Sequence, residues 1–158
     1  MKNQIILVDV DNTISQTNRK LRELIPNFTT ERYPFPFPPL FFEESPIFDE
    51  VEPVEGAKEK LKEWCIEGHW IYYVTARESS SFRRTVKWLK RHGFPSSPVI
   101  CCKDKQTIAR IIGATIAIDD APHEIEQLKD VVSRIFVPAH DYNQRYENRF
   151  FNWEELAI

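Results

Sequence analysis

The sequence predicts an α/β fold in which helices cover both faces of a doubly wound parallel sheet. Three observations predict this class: short apolar runs recur along the 158 residues, amphipathic segments separate them, and glycines follow three of these segments. Strands that alternate with helices indicate βαβ units, whose right-handed crossovers limit the topology to a doubly wound sheet. The predicted strands cover residues 5–8, 70–74, 99–101, 115–118 and 134–137.

The helices between these strands are predicted from their apolar period and from the residues that start or stop them. Residues 14–25 stop before Pro26, and residues 54–67 stop before Gly68. Proline disfavours helical backbone in the residue before it, and glycine readily adopts the left-handed backbone that ends a helix. The other predicted helices run from the serines at 79–81 to Gly93, over residues 104–112 and over residues 122–130.

Residues 26–48 differ from the rest of the chain because they hold six of its eleven prolines, interleaved with aromatic residues. We expect proline at this density to exclude a regular helix or a central strand from these residues. Aromatic side chains in such numbers favour packing onto another surface, so we expect residues 15–50 to form a small cap insertion after the first strand. A linker or a polyproline recognition motif is the alternative. With this insertion, residues 1–158 are predicted to form a single domain.

Composition and charge restrict the class of function. A hydrophobic fraction of 42% and an aromatic fraction of 13% are typical of a folded protein, and the net charge of −3 provides no broad basic surface for duplex nucleic acid. No apolar run approaches the ~20 residues of a membrane span, and the chain enters its first strand without a signal-peptide pattern. Its three cysteines lack metal-ligand spacing and fit a reducing compartment, so we expect a cytoplasmic location.

The first predicted strand ends in two carboxylates, Asp9 and Asp11. Side chains two positions apart on a strand point to the same face, and two anions at close range repel by about 4 kcal/mol at the effective dielectric of a protein surface. A positive group is therefore expected near them. The alternative is a solvated loop in which Asn12 and Thr13 serve as turn and helix-cap residues.

A second predicted strand, residues 115–118, also ends in two acids, Asp119 and Asp120. The carboxyl ends of parallel strands meet at one edge of the sheet, which is where open α/β sheets bind ligands. We therefore expect one acidic pocket at this edge. Two further strand ends carry polar residues that would face the same pocket: Thr75-Ala76-Arg77 after the second strand, and Lys103 and Lys105 after the third.

In order and in position, these features resemble the haloacid dehalogenase (HAD) superfamily, whose members are mostly phosphohydrolases. The matching motifs are the Asp-x-Asp-x-Thr run that ends at Thr13, a threonine that ends a strand, a lysine, and an acidic pair. The resemblance implies a HAD-like Rossmannoid sheet and hydrolysis of a phosphomonoester. It also implies that Asp9 is the nucleophile that forms an aspartyl-phosphate, while Asp11 protonates the leaving oxygen and then activates water.

The same resemblance implies a Mg²⁺ site and a phosphate site. The metal ligands would be the Asp9 and Asp119 carboxylates and the Asp11 backbone carbonyl, with Asp120 as an outer or additional ligand. The threonine would offer its hydroxyl and nearby backbone N–H groups to the phosphoryl oxygens, and the lysine would neutralise the nucleophile and the phosphate. The substrate-binding residues implied by the motifs are Asn12, Thr75, Ala76, Arg77 and Lys105.

Two assignments stay open at the level of sequence. Lys105 lies fourteen residues before Asp119 and is the preferred motif lysine, but Lys103 could reach the same site. The alternative for either residue is an ordinary solvated lysine. Arg77 could bind the substrate phosphate or pair with an acid, and the sequence favours neither role over the other.

Further segments are similar to the 5′(3′)-deoxyribonucleotidase branch of that superfamily. They are residues 51–57, Asp104-Lys105, Tyr142-Asn143, Arg149 and Trp153. This similarity implies a nucleoside monophosphate as the substrate, with the aromatic cap holding the base. The chain departs from the branch at Asn12, where glycine is usual, and in its shorter and more proline-rich cap.

Two alternative functions follow from other similarities. Residues 74–78 and 84–89 are also similar to polynucleotide 3′-phosphatases, which implies a 3′-phosphorylated strand end as the substrate. A phospho-accepting regulatory module is the alternative of another class, because receiver domains gather the same residue types at a sheet edge. Asp11 favours turnover, since a receiver needs a long-lived phospho-aspartate whereas a hydrolase needs a base to remove it. We therefore expect a small phosphorylated substrate as partner, with no membrane and no duplex nucleic acid.

Overall fold

The computed structural model describes residues 2–29 and 37–158, and within these ranges six strands form one sheet. All the pairings between strands are parallel, and the spatial order is β3-β2-β1-β4-β5-β6. This topology confirms the predicted doubly wound α/β fold. The strands are β1 (Ile5–Val8), β2 (Trp70–Thr75), β3 (Val99–Cys101), β4 (Ile116–Ile118), β5 (Arg134–Pro138) and β6 (Arg149–Phe150).

Seven α-helices connect these strands in the part of the chain that the structure describes. They are α1 (Thr17–Leu24), α2 (Pro39–Glu44), α3 (Ile47–Glu50), α4 (Ala57–Ile66), α5 (Phe82–Arg91), α6 (Lys105–Ile112) and α7 (Pro122–Leu128). Short 3₁₀ turns cover Ser79–Ser81, Asp141–Asn143 and Trp153–Glu155. None of the helices in residues 2–29 and 37–158 is both long and apolar enough to cross a lipid bilayer.

The secondary structure differs from the sequence prediction at several element ends, such as the start of α4 at Ala57 rather than at residue 54, and in three features that have a physical explanation. The first helix begins at Thr17 rather than at residue 14, because residues 11–15 form a tight loop. The strand β6 was missed because it has only two residues. The prediction that prolines exclude helices between residues 26 and 48 was wrong: Pro39 is the first residue of α2, a position where its missing N–H is not needed, and Pro46 immediately precedes α3.

Hydrophobic clusters cover both faces of the sheet, which explains the continuous apolar run of β1. Ile6 and Val8 point into a cluster that contains Trp64. Leu7, between them in sequence, points into the opposite cluster with Val74. A central parallel strand buried on both faces has no solvated face for polar residues, so the first polar side chains follow where the strand ends.

The strand order brings together the ends that carry polar residues. β1 lies between β2 and β4, and the sheet reverses its winding direction between β1 and β4. The Asp9 N–H donates to the Ile118 carbonyl at 2.9 Å, so the two acid-bearing strand ends lie side by side. Thr75 ends the neighbouring strand β2. This reversal point is where doubly wound sheets form a ligand crevice.

The described part of the predicted cap packs against the carboxyl end of β2. A third hydrophobic cluster contains Leu21, Phe42, Ile47 and Phe48 of this segment, together with Ala76. Three more phenylalanines pack against this cluster and are partly buried: Phe28, Phe37 and Phe41. The prolines and aromatic residues predicted for the cap at positions 33–36 lie outside the described residues.

Helix α5 anchors this segment through arginine side chains. The Arg84 guanidinium donates to both carboxylate oxygens of Asp49 and, at 2.6 Å each, to the carbonyls of Phe42 and Ser45. Arg91 donates to the Asp49 carbonyl at 2.8 Å. Because the carbonyls of a helix's last turn have no partners inside the helix, Arg84 satisfies groups that would otherwise depend on water.

We predict that Arg84→Ala destabilises the fold by about 1–3 kcal/mol, because it removes a charged donor from several partly buried acceptors. The free energy of unfolding from urea denaturation measures this loss. Arg83→Ala is the matched control, since Arg83 is the adjacent exposed arginine, and it should change stability by less than about 0.5 kcal/mol. Equal effects of the two substitutions would contradict the anchoring role.

Candidate active site

The loop after β1 makes a tight turn that depends on Asn12. This residue has a φ of +62°, a left-handed conformation that asparagine tolerates better than most residues with a side chain. Its backbone N–H donates to the Ser15 carbonyl at 2.8 Å, and its side-chain oxygen accepts from the Asn18 N–H at 2.8 Å. The asparagine therefore adopts a left-handed backbone geometry that glycine reaches readily, and it also satisfies an N–H group at the start of α1.

The centre of the site is the ammonium group of Lys105, which is fully buried among three carboxylates. Its Nζ donates at 2.6 Å to Asp9 Oδ1, at 2.7 Å to Asp119 Oδ2 and at 2.6 Å to Glu124 Oε2. The acids come from the ends of β1 and β4 and from the first turn of α7. The lysine is the first residue of α6, so four separate segments meet at one cation.

Burial and mutual repulsion raise the pKa values of these acids above the ordinary range. Burial is the largest cause for Asp9, and although Lys105 opposes it, the pKa rises to about 7. The pKa of Asp119 rises to about 8, again mainly through burial, with the neighbouring Glu124 charge adding to it. The pKa of Asp120 is raised by burial and by Asp9. One ammonium group therefore does not balance the negative charge of the site.

Asp120 lies in a second hydrogen-bond system beside the first. The Thr13 hydroxyl is 3.1 Å from Asp120 Oδ1 and also 3.1 Å from Asp9 Oδ2, so it links the two carboxylates. The Tyr142 hydroxyl donates to the other oxygen of Asp120, and Asn143 Nδ2 donates to its carbonyl at 3.0 Å. Tyr142 and Asn143, in the segment after β5, thus orient Asp120. The sequence resemblance that included these two residues did not specify this role.

Asp11 is paired with an arginine rather than with the lysine. Arg77 Nε donates to Asp11 Oδ2 at 2.9 Å, and Nη2 donates to Oδ1 at 2.7 Å. The Thr17 hydroxyl donates to the same Oδ1 at 2.6 Å. The Arg77 side chain is inaccessible to solvent. Of the two roles considered for Arg77, the observed arrangement corresponds to pairing with an acid.

The remaining predicted residues fall into two groups. Thr75 is buried at the end of β2, and its hydroxyl accepts the Arg77 backbone N–H at 3.3 Å. Ala76 is buried against the aromatic segment. Of the two candidate lysines, Lys105 occupies the acidic cluster, whereas the Lys103 side chain is 65% exposed and pairs with Glu78. The structure therefore brings Asp9, Lys105 and Asp119 into direct contact and places Lys103 outside the cluster.

Sequence reasoning missed Glu124 as a member of the site. It lies in the first turn of α7, a helix that begins at Pro122 directly after the acidic pair. An acid near a helix N-terminus is common, because it complements the helix dipole, so its presence alone carried no functional signal. What distinguishes Glu124 from an ordinary acid at a helix start is that it lies on the face of α7 that is turned toward the edge of the sheet.

The residues present fit a hard divalent cation. Carboxylate oxygens of Asp9, Asp119 and Glu124 all lie within 4.8 Å of one another, and all are buried. Oxygen-only donors of high negative charge are the ligands that Mg²⁺ prefers. Two of the ligands implied by the resemblance, Asp9 and Asp119, belong to this set. The Asp120 carboxylate accepts hydrogen bonds from Thr13 and Tyr142 instead.

The fold is shared with solved structures of the HAD superfamily. A HAD-superfamily hydrolase from Ehrlichia chaffeensis matches 98% of this chain and 95% of its own, with a TM-score of 0.59 and 13% identity. The class C acid phosphatase from Bacillus anthracis matches 93% of this chain and 75% of its own, with a TM-score of 0.63 and 17% identity. At these identities the likeness concerns the fold. The protein is thus of the HAD-fold class, with an acidic site at the edge of its sheet.

The chain belongs to the family described as 5′ nucleotidase, deoxy (pyrimidine), cytosolic type C protein, whose family model matches residues 39–158. This range contains Thr75, Lys105 and Asp119, and it begins after Asp9. A proposed nucleotidase of Bacillus cereus is 32% identical over 122 residues, which cover 70% of this chain and 65% of that protein. A proposed 5′(3′)-deoxyribonucleotidase of Chlorobaculum tepidum is 30% identical over 89 residues, covering 52% and 42%. The chain thus spans less than two thirds of these relatives.

We predict that the metal-free protein loses stability as the pH rises from 6.5 to 8. In the folded state Asp9 and Asp119 have pKa values of about 7 and about 8, whereas the unfolded value is 3.8. Between the unfolded and folded values the folded state binds more protons, so its stability falls with rising pH. The expected decrease in the free energy of unfolding is on the order of 2 kcal/mol, measured by urea denaturation in EDTA.

Mg²⁺ and one variant provide the controls. Saturating Mg²⁺ should flatten or reverse the pH slope, because the cation binds the deprotonated carboxylates. Asp119→Asn should reduce the slope in EDTA. His92 and His140 do not produce it: burial lowers the pKa of both, which gives the opposite sign and acts at lower pH. A slope that is unchanged in Asp119→Asn would contradict the assignment.

Proposed function

We propose that the protein is a Mg²⁺-dependent phosphomonoesterase that acts on nucleoside monophosphates through an aspartyl-phosphate at Asp9. The observation that carries this proposal is the contact between Asp9, Lys105 and Asp119 at the point where the sheet reverses its winding. It combines a carboxylate nucleophile, a fixed cation and a second carboxylate in one buried site. The HAD fold and the nucleotidase family support the same reaction class.

The proposed reaction has two steps that use Asp9 and Asp11 differently. A carboxylate oxygen of Asp9 forms a bond to phosphorus while the ester P–O bond breaks, and Asp11 gives a proton to the leaving oxygen. Water then attacks the acyl phosphate, Asp11 takes a proton from that water, and the Asp9–phosphorus bond breaks to release inorganic phosphate. Because Lys105 holds Oδ1 of Asp9, we propose that Oδ2, next to Thr13, is the attacking atom.

The excess negative charge of the site supports a requirement for Mg²⁺. We propose Asp9 and Asp119 as carboxylate ligands, with the Asp11 backbone carbonyl and Asp120 completing the set implied by the resemblance. Glu124 lies close enough to Asp9 and Asp119 to take part. When bound, the cation would supply positive charge to the nucleophile and to the phosphoryl oxygens. Lys105 supplies a second positive charge from the protein itself.

The substrate-binding part of the proposal uses the carboxyl end of β2 and the aromatic segment. We propose that Asn12, Thr75, Ala76 and Lys105 surround the phosphoryl group, and that Arg77, the fifth residue implied by the motifs, acts indirectly through Asp11. Residues 15–50 would act as the cap, whose phenylalanines adjoin Ala76. Phe37 and Phe41 stack at 4.7 Å between ring centroids, and a planar base is a suitable partner for such rings. This placement supports a nucleoside as the leaving group.

We predict that the purified protein hydrolyses an aryl phosphate in the presence of Mg²⁺ and loses this activity in EDTA. Asp9→Asn should lower the turnover number by about 10³-fold or more, because the amide oxygen is a poor nucleophile. Asp130→Asn is the matched control, since Asp130 is exposed, and it should retain wild-type activity. Activity that persists in EDTA or in Asp9→Asn would contradict the proposed mechanism.

A panel of phosphate esters distinguishes the substrate classes. We predict a higher kcat/KM for nucleoside 5′- or 3′-monophosphates than for a 3′-phosphorylated oligonucleotide or a sugar phosphate. A sugar phosphate lacks a base to stack on the aromatic segment, and an oligonucleotide carries further nucleotides for which the proposed cap provides no assigned site. Release of inorganic phosphate is the measurement. Preference for the oligonucleotide would favour the polynucleotide 3′-phosphatase instead. Stoichiometric labelling of Asp9 without turnover would favour the regulatory module.

A further inference from the structure

We propose that Arg77 is a positioning residue that holds the carboxyl group of Asp11 in the orientation needed for proton transfer. The inference rests on the proposed function, in which Asp11 exchanges protons with the leaving oxygen and with water. It goes beyond that function because it proposes that a residue that does not touch the substrate increases the rate of proton transfer by Asp11. It also connects this rate to the aromatic segment.

The contacts between Arg77 and Asp11 fix the plane of the carboxyl group. Nε and Nη2 donate to different oxygens, at 2.9 Å and 2.7 Å, which gives a two-point contact between two planar groups. The Thr17 hydroxyl adds a third hydrogen bond at 2.6 Å from another direction. A single-point contact would leave rotation about the Cβ–Cγ bond free, and this arrangement removes that freedom.

The guanidinium group is itself held from two sides. Nη1 donates to the Thr85 hydroxyl at 2.9 Å, and that hydroxyl donates to the Ser81 carbonyl at 2.9 Å. The face of the guanidinium lies 3.7 Å from the centre of the Phe48 ring. Cation–π contact of this kind is strongest where water is absent. Arg77 is therefore a fixed support, in contrast to an exposed arginine that would move with solvent.

A fixed support suits the two tasks of Asp11. The same carboxyl group must face the leaving oxygen in one step and a water molecule in the next, and misplacement by about 1 Å can lower a rate by about 10²-fold. Lys105, which contacts Asp9, Asp119 and Glu124, shows no hydrogen bond to Asp11 among the described residues. The orientation of Asp11 therefore depends on Arg77 and Thr17.

Phe48 extends this support to the aromatic segment. It belongs to α3 and stacks on Phe42, with ring centroids 5.1 Å apart and planes at 7°. Phe42 in turn contacts Phe41, with centroids 5.1 Å apart. The group of rings that we propose to receive the base is thus continuous with the ring that holds Arg77. A change at Phe48 should alter proton transfer even though Phe48 is far from Asp11 in sequence.

The test compares kcat/KM for two esters that differ in their need for an acid. The dinitrophenolate anion leaves without protonation, whereas the alkoxide of a nucleoside 5′-monophosphate needs a proton. Because kcat/KM extends only to the first irreversible step, it reports on leaving-group departure and is separated from the later hydrolysis. We expect Arg77→Gln to lower kcat/KM for the nucleotide by about 10²-fold and for 2,4-dinitrophenyl phosphate by less than about threefold.

Conservative variants and a second readout strengthen the comparison. Arg77→Lys keeps the charge but loses the two-point contact, so it should show a selective loss of about tenfold. Thr85→Val and Phe48→Leu should show smaller selective losses in the same direction, and they test the inference if Arg77→Gln does not fold. Arg77→Gln should also give a burst of dinitrophenol, because the slower activation of water lets the aspartyl-phosphate accumulate.

The controls separate failure of this inference from failure of the proposed function. Asp11→Asn should show the same selective loss, and adding Arg77→Gln to it should cause no further selective loss. Arg83→Gln, a change at an exposed position of the same helix, should leave the ratio of the two kcat/KM values unchanged. If Asp11→Asn is selective but Arg77→Gln affects both esters equally, or raises kcat/KM for the nucleotide, Arg77 is not a positioning residue. If Asp11→Asn itself is not selective, both the acid role and this inference are wrong.

Discussion

The buried ammonium group of Lys105 is the interaction on which the rest of the site depends. Asp9, Asp119 and Glu124 share this one cation, and without it three carboxylates would face each other in a volume that water does not reach. Removing one partner of a buried ion pair is costly because the remaining charge is left unpaired. The position of the lysine depends in turn on the start of α6, where the Asp104 side chain accepts the Thr107 N–H at 3.0 Å.

Helix α5 has a comparable role for the other half of the site. Its first turn carries Thr85, which holds Arg77, and Arg84, which holds the end of α2. Trp88, one turn further, donates to the Val51 carbonyl at 2.7 Å. One helix face therefore positions both the aromatic segment and the arginine that contacts Asp11.

Local patterns in the sequence were sufficient for the fold and for the acids that follow strands. An apolar run that stops at Asp9 or at Asp119 indicates both a strand and the place where that strand leaves the core. Glu124 could not be predicted in this way, because its role depends on how α7 is rotated against the sheet. The pairing of Arg77 could not be predicted either, because its partner Asp11 is 66 residues away. Helix α2 was not predicted because proline is tolerated only at certain helix positions, and the sequence did not show that Pro39 would be the first residue of a helix.

The central place of β1 in the sheet has a consequence for the order in which the protein forms. This strand pairs with β4, which lies about 110 residues later in the chain, as the hydrogen bond from Ile5 to Thr115 shows. Contacts of such long range slow folding, because a long loop must close before they are gained. Asp9 and Asp119 therefore come together only after β4 has been synthesised. Until then, β1 can pair with β2 on one side, but its other edge lacks a partner strand and can make contacts with other chains.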